Sequence, residues 1–172
     1  MLTIYLFLLG SIFGSFYNVC IYRLPNELDI ISKNSFCINC KYKIPFYLNI
    51  PIISYLINLG KCRNCNSKIS ISYLVVEILT SILFVFSYSR FGFSFEFIAY
   101  IIFYSGLIII FFTDLKYYLI LDKITIPLSI VGLLFTFLNF NPFQTSIFDS
   151  IVGGFVGYVI IYLIRFLFFK IR

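Results

Sequence analysis

An all-α membrane protein of five transmembrane helices, with a small zinc-ribbon-like cytoplasmic insertion, is the fold these 172 residues predict. Three observations lead there. The chain is 61% hydrophobic and 12% charged, against roughly 45–50% and about 25% in soluble domains. Its apolar residues gather into runs near the length of about 18 residues that crosses a hydrocarbon core as helix. Its basic residues gather in the loops between those runs.

The first run is Leu2–Tyr22. It lacks the basic n-region and the small-x-small cleavage site of a signal peptide, so it reads as a retained span. The segment Arg23–Ser70 follows and is the one substantial polar stretch. Further runs are Ile71–Tyr88, Phe95–Thr113, Ile124–Phe140 and Ile147–Phe169. The fourth is short and reaches spanning length only if Tyr117–Leu121 extends it. The expected division is a first helix over 1–22, a metal-binding domain over 23–70 and a helical core over 71–172.

Charge sets the orientation. The segment Arg23–Ser70 carries Arg23, Lys33, Lys41, Lys43, Lys61, Arg63 and Lys68 against Glu27 and Asp29. Placing it in the cytoplasm also puts Lys116, Lys123, Lys170 and Arg172 there. Arg90, Glu96 and the uncharged turn Asn139–Thr145 then lie opposite, as the positive-inside rule requires. The expected topology has the N-terminus outside and the C-terminus inside. The net charge of +6 therefore does not point to nucleic acid, which would want basic residues interleaved with stacking aromatics on one face. Histidine is absent, which excludes His-based catalysis and His-liganded metal.

Four of the five cysteines stand as Cys37-Ile-Asn-Cys40 and Cys62-Arg-Asn-Cys65. Each C-x-x-C puts two sulfurs on one tight turn, and two such turns supply the four thiolates of a structural zinc site. A reducing cytoplasm keeps those thiols free to ligate. A segment of about 48 residues has too little core to fold unaided, so a metal is useful there. Two redox pairs or plain buried cysteines are the blander alternatives. Nearby Lys41, Lys43, Lys61, Arg63 and Lys68 can offset a doubly negative zinc tetrathiolate. Cys20 lies inside the first span and reads as a small packing residue.

Among the carboxylates, Asp114 sits where the third run meets the cytoplasm, a depth at which a carboxyl is costly and therefore marks function. Asp122 beside Lys123 divides between loop solvation and a site role. Glu77 lies about two turns inside the second run and either snorkels toward Lys68 or faces a polar cavity. Gly10-x-x-x-Gly14 and Gly153-x-x-x-Gly157 have the spacing of close helix packing. Asn18 and Arg23 read as groups that satisfy helix ends or loop contacts.

These residues resemble one family. Gly14-Ser-Phe-Tyr-Asn-Val-Cys-Ile-Tyr-Arg-Leu-Pro25 is similar to the signature closing the first span of bacterial type IV prepilin leader peptidases. The stretch Ser35–Thr80 is similar to that family's cytoplasmic domain, through both C-x-x-C pairs, Asn49-Ile-Pro51, Ser54, Gly60-Lys-Cys62 and Tyr73-Leu-Val-Val-Glu77. Thr113–Pro127 is similar to the segment with the family's first catalytic aspartate, although Ile-Leu-Asp122 replaces the family's Ile-Pro-Asp. Asp149–Gly157 resembles the following span.

The resemblance implies a membrane aspartyl endopeptidase of the bacterial inner membrane. It would remove the leader of type IV prepilins and pseudopilins, and possible methylation of the new N-terminus would use S-adenosylmethionine. Asp114 would be the first catalytic aspartate. The family's second lies in a Gly-x-Gly-Asp motif beyond the span that Asp149 opens, and these 172 residues contain no such motif. The expectation is a chain truncated before it. An inactive homologue, or one half of a split enzyme completed by another polypeptide, would instead act as a zinc-binding membrane scaffold. Asp122 lies eight residues from Asp114, roughly 12 Å along one continuous helix, too far to share a proton.

Overall fold

The computed structural model describes residues 1–30, 35–45, 50–137 and 146–171, with side chains in the last stretch to Gly157 and at 159 and 160. Lys33, Asn49 and the turn 139–145 lie outside the described residues, as do the side chains of Lys170 and Arg172. Regular structure among the described residues is helical: α1 Leu2–Arg23, α2 Ile53–Ile57, α3 Ser72–Phe91, α4 Phe95–Tyr117, α5 Asp122–Phe137 and α6 Ile147–Ile171. Apolar runs become helices because hydrocarbon offers backbone groups no partner outside the segment. Local residues set the ends. Gly92, at φ +61°, stops α3, and the Ser94 side chain caps α4 by accepting the Phe97 N–H at 3.3 Å.

Among the described residues, three helices are long and apolar enough to cross a membrane: α1, α3 and α4. Five spans were expected. Helix α5 is described over 16 residues, Asp122–Phe137, which is as far as the described residues run there. Helix α6 has 25, and its described side chains cover only its first part. The chain divides into two compact units, Met1–Thr125 and Ile126–Arg172.

In the first unit α1, α3 and α4 pack against one another around Tyr17, Cys20, Ile21, Val76, Ile108 and Ile109. Cys20 is thus a core residue. The α1–α3 contact is close because small residues face it. A Cβ on Gly10 would stand 2.6 Å from Ser81 Cα, and one on Gly14 would stand 2.7 Å from Glu77 Cα. Opposite them, the Thr80 and Ser81 hydroxyls donate to the carbonyls of Val76 and Glu77 in their own helix, at 2.7 and 2.8 Å. Such back-bonding satisfies a buried hydroxyl without a partner across the interface. The Tyr17 hydroxyl hydrogen-bonds Ser105 and ties α1 to α4.

Filling this contact overpacks it, which costs about 1–3 kcal/mol. Gly14→Ala should therefore lower the unfolding midpoint of the detergent-solubilised chain. Gly153→Ala should not, because a Cβ there meets nothing within 4 Å among the described residues. Equal midpoints for the Gly14 variant and the parent would show that α1 and α3 do not pack this way. The second Gly-x-x-x-Gly has no packing partner among the described residues, unlike the first.

Candidate functional site

The segment between α1 and α3 builds two matching knuckles. In the first, the Cys37 N–H donates to Tyr42 O and the Lys41 N–H returns to Cys37 O, both at 2.9 Å. In the second, Cys62 N–H reaches Ser67 O and Asn66 N–H reaches Cys62 O, again at 2.9 Å. The residue after each second cysteine is left-handed, Lys41 at φ 59° and Asn66 at φ 53°. Asparagine tolerates that conformation readily; at lysine it costs roughly 1–2 kcal/mol. One antiparallel bridge brackets each knuckle, Phe36↔Lys43 and Lys61↔Lys68. These are isolated bridges and not strands.

The knuckles bring four sulfurs together. Cys37, Cys40, Cys62 and Cys65 have Sγ atoms all within 4.8 Å of one another, with Cys37–Cys65 at 3.8 Å and Cys40–Cys62 at 3.9 Å. A tetrahedral ion with Zn–S bonds of about 2.3 Å holds its sulfurs roughly 3.8 Å apart. The donor set therefore fits zinc. Donors favour thiolate at Cys37 and Cys65, while Cys62 is raised: the Cys40 backbone N–H, with help from Ser67, holds the Cys37 thiol down to about 6. The Ser67 hydroxyl, 3.0 Å from Cys65 Sγ, lowers Cys65 as well.

Several contacts fasten this segment to the helices. The Arg23 guanidinium is buried and donates to the carbonyls of Asp29 and Ile30, both at 3.1 Å. Asn18 Nδ2 donates to Tyr73 O at 3.0 Å. Glu77 is buried, and its Oε2 accepts the Ile52 N–H at 2.7 Å. Ile52 has φ 63° and begins α2, so the carboxylate secures a strained turn. Glu77 lines a cavity. That cavity, of about 570 Å³, reaches from the knuckles to the ends of α1, α3 and α4.

Asp114 lies in the last turn of α4, and its carbonyl accepts the N–H of Tyr118, where the chain turns left-handed at φ 55°. Helix α5 starts at Asp122, so no continuous helix joins the two aspartates. Both are exposed, with no side-chain partner among the described residues. Lys116, two residues from Asp114, lines the cavity. Its ammonium lies 5.6, 5.9 and 5.4 Å from the ring centres of Tyr22, Tyr73 and Tyr117. Sequence reasoning missed Lys116 and these tyrosines, because no local spacing brings α1, α3 and α4 to one point.

A family model described as the bacterial peptidase A24 N-terminal domain matches residues 8–91. One described as the type IV leader peptidase family matches residues 101–171. The chain is 32% identical over 170 residues to a prepilin leader peptidase/N-methyltransferase of Klebsiella pneumoniae, covering 95% of this chain and 73% of that protein. A protein of the same name from Vibrio cholerae is 35% identical over 171 residues, 93% of this chain and 65% of the relative. One from Myxococcus xanthus is 34% identical over 158 residues, 91% and 46%. Against four curated relatives the chain spans 46–65% of their length. No solved structure matches.

Proposed function

This chain belongs to the type IV leader peptidase family, and from that membership we propose that it is an inner-membrane aspartyl endopeptidase that cleaves the leaders of type IV prepilins or pseudopilins. Asp114 is the first catalytic aspartate in this reading. The observation that carries it is the agreement of two independent features at one end of the helix bundle. A four-thiol centre is built between α1 and α3, and the last turn of α4 holds Asp114 before the chain breaks direction.

The chemistry asks for two carboxyls. One, ionised, takes a proton from water while the other, protonated, polarises the scissile carbonyl; neighbouring carboxyls sharing a proton reach that state because both cannot ionise together. Asp114 supplies one role. The second belongs to a Gly-x-Gly-Asp segment that these 172 residues do not contain, with Asp122 as the accessory candidate and Glu77 holding the domain in place. A scaffold role, in an inactive homologue or one half of a split enzyme, is the second reading.

We further assign residues 1–22 to a first transmembrane helix, 23–70 to a zinc-binding domain and 71–172 to the peptidase core, with five spans in all. The zinc domain and Asp114 face the cytoplasm, and a pilin's apolar helix enters laterally from the lipid. Zinc, held by Cys37, Cys40, Cys62 and Cys65, fixes the fold of its domain and takes no part in proton transfer. Methylation would draw on S-adenosylmethionine. No glycine-rich loop of nucleotide-binding type occurs here, so no residue is assigned to that donor.

Sidedness tests the reading. A cysteine placed at position 141, in a background without other reactive thiols, should label from outside intact cells, and one at position 66 should not. The reverse pattern would put Asp114 on the face away from the cytoplasm and overturn the assignment.

A further inference from the structure

We propose that the cavity between the knuckles and the ends of α1, α3 and α4 binds a phosphate-bearing anion, and that its source is the headgroup of an anionic membrane phospholipid. The proposal needs no peptidase activity, but its lipid source rests on the cytoplasmic placement assigned above.

Size permits it. About 570 Å³ lies within the range of ligand sites, roughly 300–1,000 Å³. Charge favours an anion. Arg23, Lys61, Arg63, Lys68 and Lys116 line the cavity against one carboxylate, Glu77, which already accepts the Ile52 N–H. A zinc tetrathiolate, doubly negative, would offset only part of this. Arg23 and Arg63 are engaged, with the carbonyls of Asp29 and Ile30 and with Asn58 Oδ1. Lys61, Lys68 and Lys116 form no ion pair among the described residues.

The strongest observation is the Lys61↔Lys68 bridge. It sets two ammonium-bearing side chains directly across from one another at the cavity wall, an arrangement that is destabilising for like charges. An anion between them would turn that repulsion into attraction. Lys116, from the end of α4, also lines the cavity and is held among the rings of Tyr22, Tyr73 and Tyr117. Three lysines lining one cavity suit a phosphate, whose oxygens can accept from several donors at once.

Position favours lipid as the source. The cavity sits at the ends of three helices long and apolar enough to cross a membrane. Phe16 on α1, Ile71 at the N-cap of α3 and Leu115 on α4 are exposed and offer apolar surface to acyl chains. Basic pockets between membrane helices at the cytoplasmic side are known to hold anionic headgroups.

The experiment uses the zinc-loaded chain in nanodiscs of phosphatidylcholine with or without phosphatidylglycerol, then native mass spectrometry after release into detergent. About one phosphatidylglycerol per chain should be retained over phosphatidylcholine. Lys61→Gln with Lys68→Gln, and separately Lys116→Gln, should each reduce that retention at least tenfold. Lys43→Gln, in the other bridge, should not. Zinc content is measured on every variant; should the paired variant lose zinc, Lys116→Gln on α4 decides alone. A second arm titrates sn-glycerol 3-phosphate. Tight binding of this soluble ester with no lipid preference would overturn the lipid source. Equal retention by the parent and Lys116→Gln, or equal loss in Lys43→Gln, would overturn the site.

Discussion

A prepilin incubated with these 172 residues alone, in detergent or liposomes, is expected to remain uncut. The chain carries seven acidic residues, and of these only Asp122 lies near Asp114 in sequence. Without a second positioned carboxyl, one group would have to serve as acid and base at once, and a positioned proton-transfer group contributes about 10²–10⁴-fold to rate. Residues that work as a unit lose most of their effect when one is removed. Cleavage should appear when a segment bearing Gly-x-Gly-Asp is supplied in cis or in trans. In that reconstituted system Asp114→Asn should reduce the rate at least about 10³-fold, since an amide keeps the shape and cannot take a proton. Product formation is followed by mass shift of the pilin. Efficient cleavage by the isolated chain would sink the argument, and Asp122→Asn would become the decisive variant: helix α4 ends at Tyr117 and α5 begins at Asp122, so a turn separates the two carboxylates.

Removing the metal should have the second large effect. Structural zinc at four thiolates is worth about 10–16 kcal/mol in apparent binding free energy near neutral pH, more than a small polar segment gains from its own core. Protein purified without chelator should carry about one zinc per chain. Cys37→Ser or Cys62→Ser should lose it, because each removes one sulfur from a set whose members lie within 4.8 Å of one another. Limited proteolysis should then cut between α1 and α3 while leaving the helices intact. Cys20→Ser, inside the bundle core, should keep the metal. Metal analysis finding no zinc in the parent protein would rule the centre out.

What the sequence made legible was whatever is written locally. The apolar runs predict α1, α3 and α4 to within a few residues of their observed ends, because hydrocarbon leaves a backbone little choice. The doubled C-x-x-C predicts the thiol cluster because each pair is a single turn. Gly10 and Gly14 announced a close contact, although nothing in their spacing named Ser81 and Glu77 as the residues met. Four features were not legible. The hydrogen bond from Ile52 to Glu77 joins residues 25 apart, and that from Asn18 to Tyr73 residues 55 apart. The break at Tyr118 depends on one left-handed residue that carries no glycine to advertise it. Lys116 looked like an ordinary interfacial lysine, and its three rings come from α1, α3 and its own helix.

The knuckles also bear on how the membrane helices find each other. Pairing α1 with α3 must close a loop of about 48 residues, from Leu24 to Ile71. Once metal joins Cys37 to Cys65, only about 19 of those residues remain outside the clip. The loop-closure relation makes the shorter loop easier to close by about 0.8 kcal/mol, before any contact between the helices forms. An ion bound there would thereby favour the pairing of α1 with α3. During synthesis α1 would wait for its partner as a tethered helix, and the arrival of zinc would shorten the tether.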